Sequence, residues 1–268
     1  MNLRAVFAIV RKDLKVVRQN KGVFMPIMIG SLVVFAILPW GVSLFPLLEG
    51  AIGNDIQLLV DLMSTELQQE FAAYGQYQAF FVYILVYMMA PIFLLLPLML
   101  STVIAADSFA GEKERKTMEA LLYTPTTDRE LFVAKLLSGW LAAISVAFAG
   151  FALYTVSVNA VGWSQMGHLF FPNSMWLVLV FWVVPAMPGL GLGAMVLVSA
   201  RAQGFQDANQ LGMIVILPVM VLGGALLSGA MSFSFVVMFL IGFVVWLLDG
   251  LLIWLGSRSF RRGRLLGA

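Results

Sequence analysis

The chain contains no cysteine and only one histidine, His168. The first absence excludes disulfides, thiolate metal sites and cysteine nucleophiles. The second leaves no set of imidazoles to build a histidine-based metal cluster. Charge is scarce too: 11% of the 268 residues are charged, against roughly 25% in a soluble domain. With 61% of residues hydrophobic, there is too little polar surface to coat a globule, so lipid is the solvent for much of the chain. A further absence is regional. The polar stretches at about 46–78, 161–173 and 229–233 contain no Lys or Arg.

All sixteen basic residues fall instead in four short groups that alternate with long apolar segments. They are Arg4, Arg11, Lys12, Lys15, Arg18 and Lys21; Lys113, Arg115, Lys116, Arg129 and Lys135; Arg201; and Arg258, Arg261, Arg262 and Arg264. Basic residues are retained on the cytoplasmic side of a membrane. The pattern therefore predicts a multi-pass protein of a bacterial or archaeal inner membrane with both termini in the cytoplasm. The outer stretches hold Glu49, Asp55, Asp61, Glu66 and Glu70, a count of −5, so with a net charge of +2 the remainder carries +7. That excess suits anionic headgroups of the inner leaflet, making membrane lipids a partner. Nucleic acid is not expected, because the basic residues lie beside spans and form no single stripe.

Residues 1–20 read as a basic amphipathic helix with Leu3, Val6, Phe7, Val10, Leu14 and Val17 at helical spacing, suited to the membrane interface. A cleavable signal is not expected, since basic residues run through the first 21 positions and a span-length segment follows. Six spans are predicted at about 23–45, 79–106, 133–160, 174–200, 209–228 and 234–256, each near the ~20 residues that cross hydrocarbon. Pro26, Pro39, Pro91, Pro97, Pro185, Pro188 and Pro218 imply kinks whose freed carbonyls find partners inside the bundle. Trp40, Trp163, Trp176 and Trp182 are expected at the outer interface as an aromatic belt. In the first outer loop, Asn54 and Gln57 have capping-box spacing, and the stripe from Ile56 to Tyr74 predicts a helix over 54–75 lying on the outer face.

The most informative segment runs from Asp107 to Lys135. Glu112 and Lys116 are spaced i,i+4, which favours a charged helix over about 112–123 that Pro125 ends. Thr127 and Glu130 then have the spacing of a capping box that opens the next helix. Met118, Leu121 and Leu122 are left available to a partner, or to packing on the inner ends of the bundle. At these residues the chain resembles the permease subunits of ABC-type-2 transporters. Glu112, Thr117, Glu119, Leu121, Leu122, Pro125 and Lys135 match the family's loop after the second span in order and spacing, with Ala134 where a Gly is usual. Weaker resemblances lie at 199–211 and in the tail at 259–266, where Gly263 stands for a common Glu.

The resemblance implies an all-α membrane protein: residues 1–268 as one transmembrane domain, 1–21 as an elbow helix, and six transmembrane helices. It also implies a cytoplasmic coupling helix at about 112–124 that docks on a separate ATPase subunit through Glu112, Thr117, Met118, Glu119, Leu121, Leu122 and Pro125, with 201–209 as a smaller contact. A second permease copy or a paralogue would complete an exporter. ATP and Mg would sit in the partner subunit, because this chain has no glycine-rich phosphate loop followed by Lys and Ser or Thr. No cofactor, catalytic group or metal site is expected in the chain itself. Gly189-Leu-Gly-Leu-Gly193 lies inside a span, where small residues permit close helix packing.

Asp249 is the one carboxylate well inside a predicted span. It is a possible intramembrane polar site for a proton or ion, or a structural acid that reaches Arg258 or a neighbouring helix. The alternative to a permease is an autonomous secondary transporter or channel. That reading would call for intramembrane ionisable pairs or matching broken helices, and neither is seen. An intramembrane enzyme would need a Ser–His or paired-Asp arrangement within the spans. The nearly uncharged spans suggest a hydrophobic or amphipathic cargo.

Overall fold

The computed structural model describes residues 2–19, 21–44, 68–69, 74–115, 126–202, 204–227 and 234–259, and these form helices with no strand among them. Helix α1 (Leu3–Gln19) comes first. A helical run follows as α2 (Lys21–Leu32), a π turn at Val33–Ile37 and α3 (Leu38–Val42). The second long run comprises α4 (Gln76–Val82), a π turn at Tyr83–Met88, α5 (Met89–Ala105), a π turn at Ala106–Gly111 and the short α6 (Glu112–Glu114). Next are α7 (Asp128–Met166), α8 (Ser174–Val178), a π turn at Leu179–Val183 and α9 (Ala186–Ser199). The chain continues through α10 (Phe205–Gly212), a tight turn at Met213–Val215, α11 (Ile216–Leu227) and α12 (Phe235–Ser259).

Among the described residues, five helices are long and apolar enough to cross a membrane: Tyr77–Glu114, Asp128–Met166, Ser174–Ser199, Phe205–Leu227 and Phe235–Arg258. The protein is thus a multi-pass membrane protein. The predicted first span corresponds to a shorter apolar helix, Met28–Val42. Pro26 and Pro39 lie in this run, and its middle is a π turn, so the helix is interrupted where the sequence reads as one apolar block. The predicted outer helix over 54–75 falls almost entirely outside the described residues.

The core centres on aromatic side chains of four segments: Phe35, Phe93, Tyr154 and Trp176, each almost fully buried. Phe93 and Trp176 meet edge to face at 4.8 Å. Buried carbonyls close to the prolines take side-chain donors here. The Tyr154 hydroxyl donates to the Leu85 carbonyl at 2.6 Å, and Trp176 Nε1 donates to the Val86 carbonyl at 2.8 Å. Both acceptors lie in the π turn ahead of Pro91, which has no N–H to offer the preceding turn. Trp140 Nε1 likewise donates to the Pro185 carbonyl at 2.9 Å. Trp176 is therefore no part of an interfacial belt. It is completely buried because its indole N–H has a carbonyl to satisfy, whereas Trp40 and Trp163 are exposed as a belt requires.

Glycines set the closest approaches between helices. A side chain at Gly191 would run into Ser101 of α5, and one at Gly193 would strike Leu252 of α12. The glycine-rich stretch is thus a packing seam. Gly167 ends α7 in the left-handed conformation, with φ of 68°, the usual reason for glycine at that position.

Candidate functional site

The basic residues of the described chain gather at one end of the bundle, and there the loop segment predicted to carry chemistry meets α1 and α7. Thr127 and Glu130 make the predicted capping box: the Thr127 N–H donates to Glu130 Oε2 at 2.9 Å, and the Glu130 N–H donates to Thr127 Oγ1 at 3.3 Å. Glu130 also accepts from the Asn2 N–H, tying the start of α1 to the start of α7. Along α1, Val6 and Val10 turn inward onto Ala134 of α7, while Leu3 and Phe7 are exposed. The apolar stripe read from the sequence is therefore divided between protein and surroundings.

Asp13, on the inward face of α1, is buried. Its carboxylate accepts from Ser138 Oγ at 3.4 Å and pairs with Lys12 Nζ at 3.2 Å. Lys12 also pairs with Glu112 at 3.4 Å. Glu112 in turn holds Lys135 Nζ at 2.6 Å, a lysine whose side chain has no solvent exposure at all. The same ammonium donates to the Ser108 carbonyl in the π turn at 2.8 Å and lies 5.6 Å from the Phe109 ring centre. Lys12, Asp13, Glu112, Lys135 and Ser138 thus form one polar node joining α1, α6 and α7. Burial disfavours the Lys12 ammonium, but Glu112 and then Asp13 outweigh it and hold its pKa above the ordinary value of 10.5. The stabilisation from that pairing is accordingly present below about pH 10.5 and is lost only as pH rises through the higher folded value.

Two further contacts extend the node. Arg115 pairs with Asp107 at 3.0 Å. Glu114 Oε2 accepts from the Phe205 N–H at 2.9 Å, so an acid at the end of α6 caps the start of α10. Gly204 leaves room for this, since a side chain there would come within 2.6 Å of the Glu114 carboxylate.

Of the residues singled out in the loop, Glu112 lies in the described part, and it is turned into the bundle towards Lys135. Thr117, Met118, Glu119, Leu121, Leu122 and Pro125 lie outside the described residues, as does most of the tail at 259–266. Sequence reading missed the roles of Asp13 and Glu114. Asp13 carried a usable signal: it is the lone acid in the first 48 residues, and it falls three positions after Val10 on the apolar stripe.

A cavity of about 670 Å³ opens between the first helical run, α5 and α7. Phe35, Phe93, Leu100 and Val146 give it apolar walls, and Asp107, Arg115 and Phe205 stand at its basic end. Asp249 is on the far side of α9. It is 2% exposed and rests against Gly189, where a side-chain carbon would lie 2.3 Å from its carboxylate. It does not reach Arg258, whose guanidinium lies over the Trp254 ring at 3.7 Å. His168 is exposed, with Nδ1 2.8 Å from the Met166 carbonyl.

A bundle of apolar helices with a charged node at one end defines a multi-pass membrane protein. The profile of the ABC-2 family transporter proteins matches residues 7–245, and the chain belongs to that family. Members are the membrane component of such transporters, distinct from the ATPase subunit with which they generally work. No curated protein matches the chain.

Proposed function

We propose that the chain is one half of the membrane pathway of an ABC exporter, moving cargo outward with energy from a separate ATPase subunit that holds ATP and Mg. The observation that carries this reading is the polar node. It ties the base of the loop after the second long run to α1, α7 and α10, so force applied to that loop is delivered to several helices at once. Residues 112–124 are the coupling helix on this reading, with Glu112 anchoring its root and Met118, Leu121 and Leu122 filling a pocket of the ATPase. Thr117, Glu119 and Pro125 fix its register and its end.

Helix α1 is then the elbow, with Leu3 and Phe7 set into the lipid interface. The run 21–42 completes a sixth crossing, with both termini in the cytoplasm of a bacterial or archaeal inner membrane. A second copy or a paralogue supplies the other half. The cavity beside Phe35 and Phe93 suits a hydrophobic or amphipathic cargo, because among the described residues its walls are apolar and its charges are one ion pair at one end.

Replacing Leu121 and Leu122 with Ala tests the assignment. Truncating a desolvated anchor at an interface typically costs about 2 kcal/mol or more, so copurification of the ATPase, normalised to folded permease, is expected to fall at least tenfold. Retention of the partner and of transport at wild-type levels would remove the coupling assignment.

A further inference from the structure

The structure shows a carboxyl with no companion. Asp249 is 2% exposed, and neither of its oxygens finds a hydrogen-bond donor among the described residues. Packed against α12 are α8, the π turn 179–183 and α9, and none of them contains a titratable residue. The other charged residue of α12 is Arg258, which is occupied by Trp254. Helix α7 approaches α12 where Phe132 faces Gly256, well along the helix from Asp249. Its charged residues there are Asp128, Arg129, Glu130 and Lys135. Lys135 is engaged by Glu112 and the Ser108 carbonyl. Among the described residues, no cation faces Asp249.

An ionised carboxylate in that position would lose its hydration and gain nothing in exchange, at a cost far above that of an unbonded neutral group. A metal cation would call for several oxygen ligands, and no group of three or more acidic, His or Cys side chains is placed to hold one among the described residues. A proton is the one ligand that a single carboxyl binds unaided. Gly189 shapes the space accordingly. With no side chain at that position the acid fits between α9 and α12, but a hydrated carboxylate is far larger.

We propose that Asp249 is a proton-binding site: the carboxyl carries a proton while α9 and α12 are packed at Gly189, and releases it to water only when the two helices part there. Two indole bonds fasten α12 farther towards its start, from Trp182 Nε1 to the Phe239 carbonyl at 3.1 Å and from Trp246 Nε1 to the Trp182 carbonyl at 3.2 Å. No such bond holds the Asp249 carboxyl to Gly189, so the packing there depends on the acid remaining neutral. The site rests on packing alone and stands whether or not the loop at 112–124 engages an ATPase.

Infrared spectroscopy of the full chain in lipid nanodiscs, compared between wild type and Asp249→Asn at neutral pH, reads the site directly. The carbonyl stretch of a protonated carboxylic acid is expected in the wild type, shifted by deuterium exchange, and is expected to be lost in the variant. Asp249→Leu supplies a second reference should the amide variant not fold. Wild-type spectra without that band, or bands identical in wild type and variant, would overturn the proposal.

Discussion

Lys135 is a full charge enclosed by protein, and its environment says what removing each partner should do. Its ammonium has Glu112 at 2.6 Å and the Ser108 carbonyl at 2.8 Å. Glu112→Gln removes the negative partner and leaves a buried, uncompensated cation, a change that typically costs about 3–5 kcal/mol. Lys135→Met is expected to be milder, because Glu112 is 12% exposed and keeps Lys12 at 3.4 Å. Combining the two substitutions should recover part of the loss, so the double-mutant cycle is expected to show a coupling energy of about 1–3 kcal/mol. Thermal unfolding of the four proteins in one detergent measures it. Additive effects would mean that the pair contributes nothing beyond its separate members.

At the scale of elements, the bond from the Phe205 N–H to Glu114 makes the start of α10 depend on a residue 91 positions earlier. Glu114→Ala should loosen the first turn of α10, costing about 1 kcal/mol locally. Hydrogen exchange should accelerate at the amides of Phe205–Gly212 and stay unchanged within α7. What could be read from sequence at this scale was local. The Thr127–Glu130 box, the amphipathic α1 and the glycine seam at 189–193 each depend on spacings within one helix, and each is present. What could not be read joins distant segments. Asp13 meets Ser138, and Glu112 turns to Lys135 and Lys12, because tertiary packing selects among many possible ion pairs. Trp176 shows the same limit: position along a span does not distinguish the lipid face from the core. Asp249 was within reach of Arg258 by helical spacing, but Trp254, four positions before Arg258, offers the guanidinium a ring instead.

For the whole molecule, the length of α7 is telling. Its 39 residues extend about 58 Å, almost twice the roughly 30 Å of a hydrocarbon core. It must therefore protrude from the membrane, and α1 lies against its basic end. The natural lack of cysteine allows the orientation to be tested with single introduced cysteines and an impermeant thiol reagent. His168→Cys should label in intact cells and Lys113→Cys only after permeabilisation. Labelling at position 113 from outside would reverse the assigned orientation. The docking of α1 on α7 also bears on how the chain is made. Asp13 and Ser138 are 125 positions apart. At about 5–20 residues per second, synthesis takes roughly 6–25 s to cover that distance. Throughout that interval Val6 and Val10 have no partner, and Asp13 is open to water. Helix α1 is made long before the part of α7 on which it settles, and until that part emerges the membrane surface can shelter its apolar side.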